Sequence, residues 1–369
     1  MTYAKVVFFS FSACLTAVAA ASPDATTGAS PAYNKTAATA YLDKRENWWL
    51  GWPVSQRDHA TACVSCHTAL PYALSRPVLR GTSDKTPSSI EQAMLANIVK
   101  RVTMWNEVLP FYDDEHYGPH KAVGSRTSEA VINALILANY DALKGSLSTV
   151  TKSAFDNIWA IQLKTGDQAG AWNWLNFENS PWEGFTSQYW GATLAALAVG
   201  VAPDNYASDP KIQENVKLLR SYLTSQYASQ PVLNKVVLLW ASAKLPGLLT
   251  GAQQSSLEDT LFGLQKEDGG WSLSTFGTWE RHDKTPLETK SDGYATGLTL
   301  FALEQAGLSS PQPGVKRGLL WLTKNQDQSE GFWPAYSLNK QRDLSTDTGR
   351  LMVDAATAFA TLALENSHQ

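Results

Sequence analysis

The chain has 369 residues and a formal charge of −4, with 17% of its residues charged against roughly a quarter in ordinary globular chains. Aromatic residues make up 11%, including 14 Trp. The charges are spread with no Lys/Arg block, which argues against a nucleic-acid partner. Beyond the first residues, no stretch approaches the roughly 18 apolar residues that a bilayer span needs.

Residues 1–21 read as a secretory signal. Lys5 supplies the positive start, Val6 to Ala17 the apolar run, and Ala19-Ala20-Ala21 a small-residue cleavage site before Ser22. A lipoprotein signal through Phe11-Ser12-Ala13-Cys14 is the lesser reading, because apolar residues continue past Cys14. Residues 22–40, rich in Ala, Thr, Ser and Pro, read as a flexible leader. An exported, periplasmic bacterial protein is the expectation.

Residues 41–126 contain Cys63-Val64-Ser65-Cys66-His67, with no other Cys downstream of the leader. Two thiols three positions apart followed by His is the spacing for c-type haem attachment: each sulfur bonds a vinyl group and the adjacent imidazole reaches the iron. One haem c is expected, held covalently by Cys63 and Cys66 with His67 as proximal iron ligand. A CxxC redox pair expects a βαβ context that the sequence lacks, and a zinc site needs two further ligands. Pro71 to Pro77 follow, either to pack on a haem face with Arg76 on a propionate or as an ordinary turn and short helix. No distal ligand is marked by a motif. Met104, His116, His120 and His59 are the candidates, with His120 and Met104 placed first, and a five-coordinate iron stays open.

Residues 127–369 repeat. Ile158 to Gln162 leads through Gly170 to Trp172; Leu261 to Gln265 through Gly269-Gly270 to Trp271; Trp321 to Gln326 through Gly331 to Trp333. Each Trp is followed by a stretch dense in Ala and Leu on every side: Ser187 to Gly200, Asp292 to Gly307 and Val353 to Glu365. The one-sided stretch of Ile212, Val216, Leu219 and Leu223 pairs with Pro231 to Leu245, and Ile90 to Trp105 with Ser128 to Tyr140. That predicts at least five helix hairpins and an all-α fold, since no run alternates at period two. A closed ring and an open solenoid both bury such faces.

Gln265-Lys266-Glu267-Asp268-Gly269-Gly270-Trp271, with its two looser copies, resembles the QW repeat of squalene–hopene and oxidosqualene cyclases. The resemblance covers roughly residues 128–365 and implies an α/α-toroid of the terpenoid-cyclase and prenyltransferase class. The activity does not carry over. The DxDD acid motif is absent, and Asp113-Asp114-Glu115 misses the DDxxD pattern because Tyr117 takes its last place.

The aromatic residues Trp172, Trp174, Trp182, Tyr189, Trp190, Trp279 and Tyr294 either line a cavity, where such rings stabilise cations, or pack the repeats. Glu183, Asp283 and Asp292 interleave with them and are candidate acids if buried. Asp292 and Ser187 read first as N-caps. The function expected is electron transfer or haem-based redox chemistry with a redox partner protein, acting on an apolar small molecule if one is bound. A terpenoid-processing enzyme without haem and a non-catalytic binding module are the alternatives.

Overall fold

The structure, a computed structural model, describes residues 1–2, 33–81, 86–112 and 119–367. The expected signal, the first part of the leader, Asp113-Asp114-Glu115, His116 and Tyr117 lie outside the described residues.

Twelve helices are described: α1 (Lys35–Gly51), α2 (Ala69–Arg80), α3 (Ser89–Thr103), α4 (Pro119–Lys144), α5 (Thr149–Ala160), α6 (Ser187–Val201), α7 (Gln213–Gln226), α8 (Val232–Lys244), α9 (Gly251–Leu264), α10 (Gly293–Gln305), α11 (Pro313–Asn325) and α12 (Leu351–Asn366). The described strands are two residues each, β1 (Gln56–Arg57) and β2 (Thr61–Ala62), paired antiparallel. The fold is all-α. Among the described residues no helix is long and apolar enough to cross a membrane.

Local signals set the helix starts. Ser88 and Thr250 form capping boxes with Glu91 and Gln253, and Asn34, Ser148 and Gln312 cap α1, α5 and α11 with their side chains. Two kinds of helix alternate. α6, α10 and α12 are buried almost all round, as their Ala, Gly and Leu content requires, whereas α7 and α11 bury one face.

The buried kind pack on one another in order. α2 lies on α4, α4 on α6, α6 on α8, α8 on α10, α10 on α12, and α12 on α2. The others cover them from outside: α1 on α2 and α12, α5 on α4, α7 on α6, α9 on α8, and α11 on α10 and α12.

Three like clamps tie α5 to α7, α9 to α11 and α11 to α1. The Trp172, Trp271 and Trp333 indoles donate to the Ile158, Leu261 and Leu322 carbonyls at 2.7, 2.6 and 2.7 Å. The preceding Gln Nε2 donates twice: Gln162 to Gly170 and Asn215, Gln265 to Gly269 and Gly314, Gln326 to Gly331 and Asn34. The first two clamps reach forward to α7 and α11. The last reaches back to the cap of α1.

One stretch differs from expectation. Residues 35–40, read as leader, are the opening turns of α1, fixed by the Asn34 cap and by Ala38, which is fully buried. Pro71 to Pro77 lie in α2, whose buried face is as complete as that of α12. Tyr33–Gln369 forms one compact unit, and α4 runs without a break across residues 126 and 127.

Candidate functional site

The Cys63–His67 turn is held between α1 and α2. Asn97 on α3 grips Ala62 from both sides, its Oδ1 accepting from the Ala62 amide at 2.8 Å and its Nδ2 donating to the Ala62 carbonyl at 2.9 Å. The Cys63 amide donates to Ser55 O at 2.8 Å, and the Trp49 indole donates to Cys63 O at 2.6 Å. Ser65 Oγ accepts from the Thr68 and Ala69 amides at 3.2 and 3.0 Å, which winds the turn into α2. The motif is thus a rigid lead-in to a buried helix.

Both sulfurs are free thiols and half-buried. Burial pushes the Cys63 thiol up to about 12 and the Cys66 thiol well above its ordinary value, so both stay protonated at neutral pH. His67 is pushed down to about 3, first by burial and then by the Arg45 and Arg342 guanidinium groups. Its imidazole is neutral.

One chain of hydrogen bonds fixes which nitrogen carries the proton. Asp354 on α12 accepts from Tyr41 at 2.8 Å, from Arg45 at 2.7 and 3.1 Å, and from Thr68 Oγ1 at 2.7 Å. Burial raises this carboxyl, but four donors aimed at its two oxygens require the ionised form. Thr68 therefore gives its proton to Asp354 and accepts from His67 Nδ1–H at 2.9 Å. The lone pair left over is on Nε2. This carboxylate–hydroxyl–imidazole chain is how metal-ligating histidines are oriented. Trp49 packs edge-on against the ring, centroids 4.9 Å apart at 86°.

A cavity of about 150 Å³ opens beside the turn, lined by Cys66, His67, Trp182, Glu183, Arg342 and Met352, among others. Burial raises Glu183 to about 7. Arg342 has no carboxylate within ion-pair distance among the described residues. Met352 is 5% exposed. Two loops make the opposite wall, and Asn339 Nδ2 ties them by donating to Ser180 O at 2.7 Å.

The other expected residues scatter. His120 is exposed and lines a separate cavity with Trp174 and Gln188, while Met104 closes α3, so neither lies with His67 in its cavity. His59 is exposed and pairs with Asp58. Arg76 is taken by Asp43 at 2.8 Å and does not line the cavity. Trp172 is wholly buried in its clamp, Tyr189 donates to Leu223 O, and Trp174 packs edge-on with Trp190. Trp279 lines a surface cavity, and Asp283 is exposed.

Asp292 is the N-cap of α10. It accepts from the Ala295 and Leu273 amides at 2.9 and 2.6 Å, and burial, only partly offset by these bonds, raises its carboxyl to about 6. Ser187 departs from its expected cap: Thr186 precedes α6, and Ser187 Oγ instead bridges Gly184 N and Pro181 O.

Trp182 does come to His67, and Tyr294 packs behind it. Ring centroids step from His67 to Trp182 at 6.2 Å, to Tyr294 at 5.5 Å, to Phe359 at 5.7 Å, and on to Trp240 at 6.2 Å. Met352, Arg342 and Phe359 were missed because nothing local distinguishes them; helix starts and loop folding bring them in. Compared with the known protein families the chain matches none, and no curated protein resembles it significantly.

Among the described residues no group of three or more His, Cys, Asp and Glu side chains is placed to hold a metal ion. An iron porphyrin makes a different demand: two thiols for the ring edge and one imidazole with a free Nε2. The donor types meet that demand, with Cys66 and His67 lining the cavity and Cys63 in the same turn but not among the lining residues. The room does not yet, since pockets for drug-sized ligands run to about 300–1,000 Å³. The cavity's walls include the two loops joined by Asn339 and Ser180 and the start of α12.

Proposed function

We propose that the protein is an exported c-type haem protein acting in electron transfer or haem-based redox chemistry. Cys63 and Cys66 would hold the porphyrin by thioethers, His67 Nε2 would take one axial position, and Arg342, with no carboxylate partner among the described residues, would meet a propionate. The haem would supply one-electron transfer. The observation that carries this reading is the neutral His67 with Nδ1 committed to Thr68 and no hydrogen-bond partner for Nε2 among the described residues. A redox partner protein and a periplasmic location go with the proposal.

The circuit of packed helices supports a further reading, an α/α-toroid like that of the terpenoid cyclases. The QW-like clamps are the local likeness. Their Gln and Trp side chains all point into outer-helix joints, so they support a structural role and no cyclase chemistry.

The test is expression in the periplasm alongside haem-maturation machinery, read by pyridine haemochrome spectrum and intact mass. One haem per chain is expected, with Cys66→Ser retaining at most one thioether. Colourless protein with both thiols titratable would sink the reading. A second reading, acid catalysis by Glu183 beside Trp182, is favoured by that carboxyl's shift to about 7. It predicts turnover of a polyprenyl substrate by haem-free protein, lost in Glu183→Gln.

A further inference from the structure

A second cavity, of about 450 Å³, lies at the other ends of the buried helices. His67 precedes α2 and Met352 starts α12, whereas this cavity is lined by the last turns of α2, α4, α6, α8, α10 and α12. Trp240 and Phe301 form part of its wall, 5.1 Å apart and edge-to-face, and both pack on Phe359, the next ring of the aromatic column. The column runs from Trp182, which lines the first cavity, to Trp240 and Phe301, which line the second.

The chemistry of the lining is divided. Leu74, Val201 and Leu362 are apolar, and the volume falls within the range of small-molecule pockets. The polar groups are not equivalent. Asn366 is committed, accepting from Gln305 at 3.1 Å and donating to Glu304 at 3.4 Å. Asn139 and Lys244 line the cavity with no hydrogen-bond or ion-pair partner among the described residues. Lys244 is exposed at the cavity's edge with no carboxylate within ion-pair distance among the described residues, and partial burial lowers its pKa. An unpaired ammonium and a free amide over an aromatic wall suit one class of ligand.

We propose that this cavity binds an amphipathic carboxylate of the fatty-acid class, its head on Lys244 Nζ and the Asn139 amide and its chain against Trp240 and Phe301. A neutral head would leave Lys244 as unpaired as it is now, and a cationic head would meet it as a like charge. The site rests on the cavity alone and needs no haem.

Calorimetric titration with decanoate, below its micellar concentration, tests it on the full chain. One site per chain is expected. Lys244→Ala, which removes an exposed side chain, should weaken decanoate at least tenfold and leave decanol unchanged. Ala142→Trp, placed on the exposed rim so that the fold is undisturbed, should abolish binding of both. Decanoate that fails to bind, or binds Ala142→Trp undiminished, overturns the site. Decanol that binds as tightly as decanoate, with Lys244→Ala indifferent, overturns the carboxylate class. Pyridine haemochrome on the same samples is read separately, and its outcome leaves these results standing.

Discussion

Thr68 holds a position out of proportion to its size. Its hydroxyl receives His67 Nδ1–H and donates to Asp354, so Thr68→Val removes both bonds while keeping the side-chain shape. The cost in stability should be about 1–2 kcal/mol. The decisive readout is the His67 tautomer in ¹⁵N NMR of haem-free protein: a single Nδ1–H form in the wild type, a mixture in Thr68→Val. A single form in both would show that Thr68 does not set it. The sequence marked His67 through its neighbours Cys63 and Cys66, but it could not mark Asp354, which is 286 positions from Thr68. Glu304 gives a pH prediction. Its Oε1 is buried with no partner, and burial raises the carboxyl to about 8 against about 4.5 when unfolded. The folded chain therefore holds a proton there that the unfolded chain releases. The stability this contributes is complete below about pH 4.5 and lost as pH rises to 8. Glu304→Gln should be near neutral at pH 5 and more stable than wild type by about 2 kcal/mol at pH 9, read by chemical denaturation. Equal effects at both pH values would contradict the burial of this carboxyl.

Among the elements, the Gln–Gly–Trp clamps were the most legible part of the chain. Trp is large, its indole has one donor to place, and Gly sits where the turn has no other choice. Gly331 has φ +85°, and a Cβ there would stand 2.2 Å from the Ala37 carbonyl in α1. Gly145 has φ +75° and nothing within 4 Å. Gly145→Ala should therefore cost about 1 kcal/mol, the strain of the left-handed backbone alone. Gly331→Ala adds a backbone collision to that strain and should exceed about 3 kcal/mol, or prevent folding. Thermal melting of the two variants compares them directly, and similar losses would remove the close α1 joint from the account. Helices α1 and α2 were the least legible. α1 mixes charged and apolar residues with no dominant face, since Arg45 and Glu46 are buried beside Leu42 and Trp49. α2 carries Pro71 and Pro77, and its sequence left a haem-packing segment and an ordinary turn with a short helix both open. Pro71 stands in its first turn, where no intrahelical donor is missed.

For the molecule as a whole, the question is whether the repeats from residue 127 onward stand without the segment that carries the cysteines. Packing says they do not. α2 fills the gap between α12 and α4, and ten of its twelve residues are buried. α1 lies across α2 and α12, where Arg45 pairs with Asp354 in a bridge whose side chains are 3% and 1% exposed. Removing residues 1–126 would strip all three contacts, open the buried faces of α12 and α4 to water, and delete the opening turns of α4. Exposing even a few buried apolar side chains, at about 1.5–3 kcal/mol each, takes a large part of the net stability of an ordinary domain. A chain of residues 127–369 should keep helical far-ultraviolet dichroism, lose its near-ultraviolet signal, bind a hydrophobic dye and melt without a sharp transition. Supplying residues 33–126 as a separate chain should restore cooperative melting, because the missing pieces fit a gap already shaped by α4 and α12. A fragment that melts as sharply as the full chain would mean that the cysteine segment is an appendage. Its rigid His67 would then need an explanation other than its place among the buried helices.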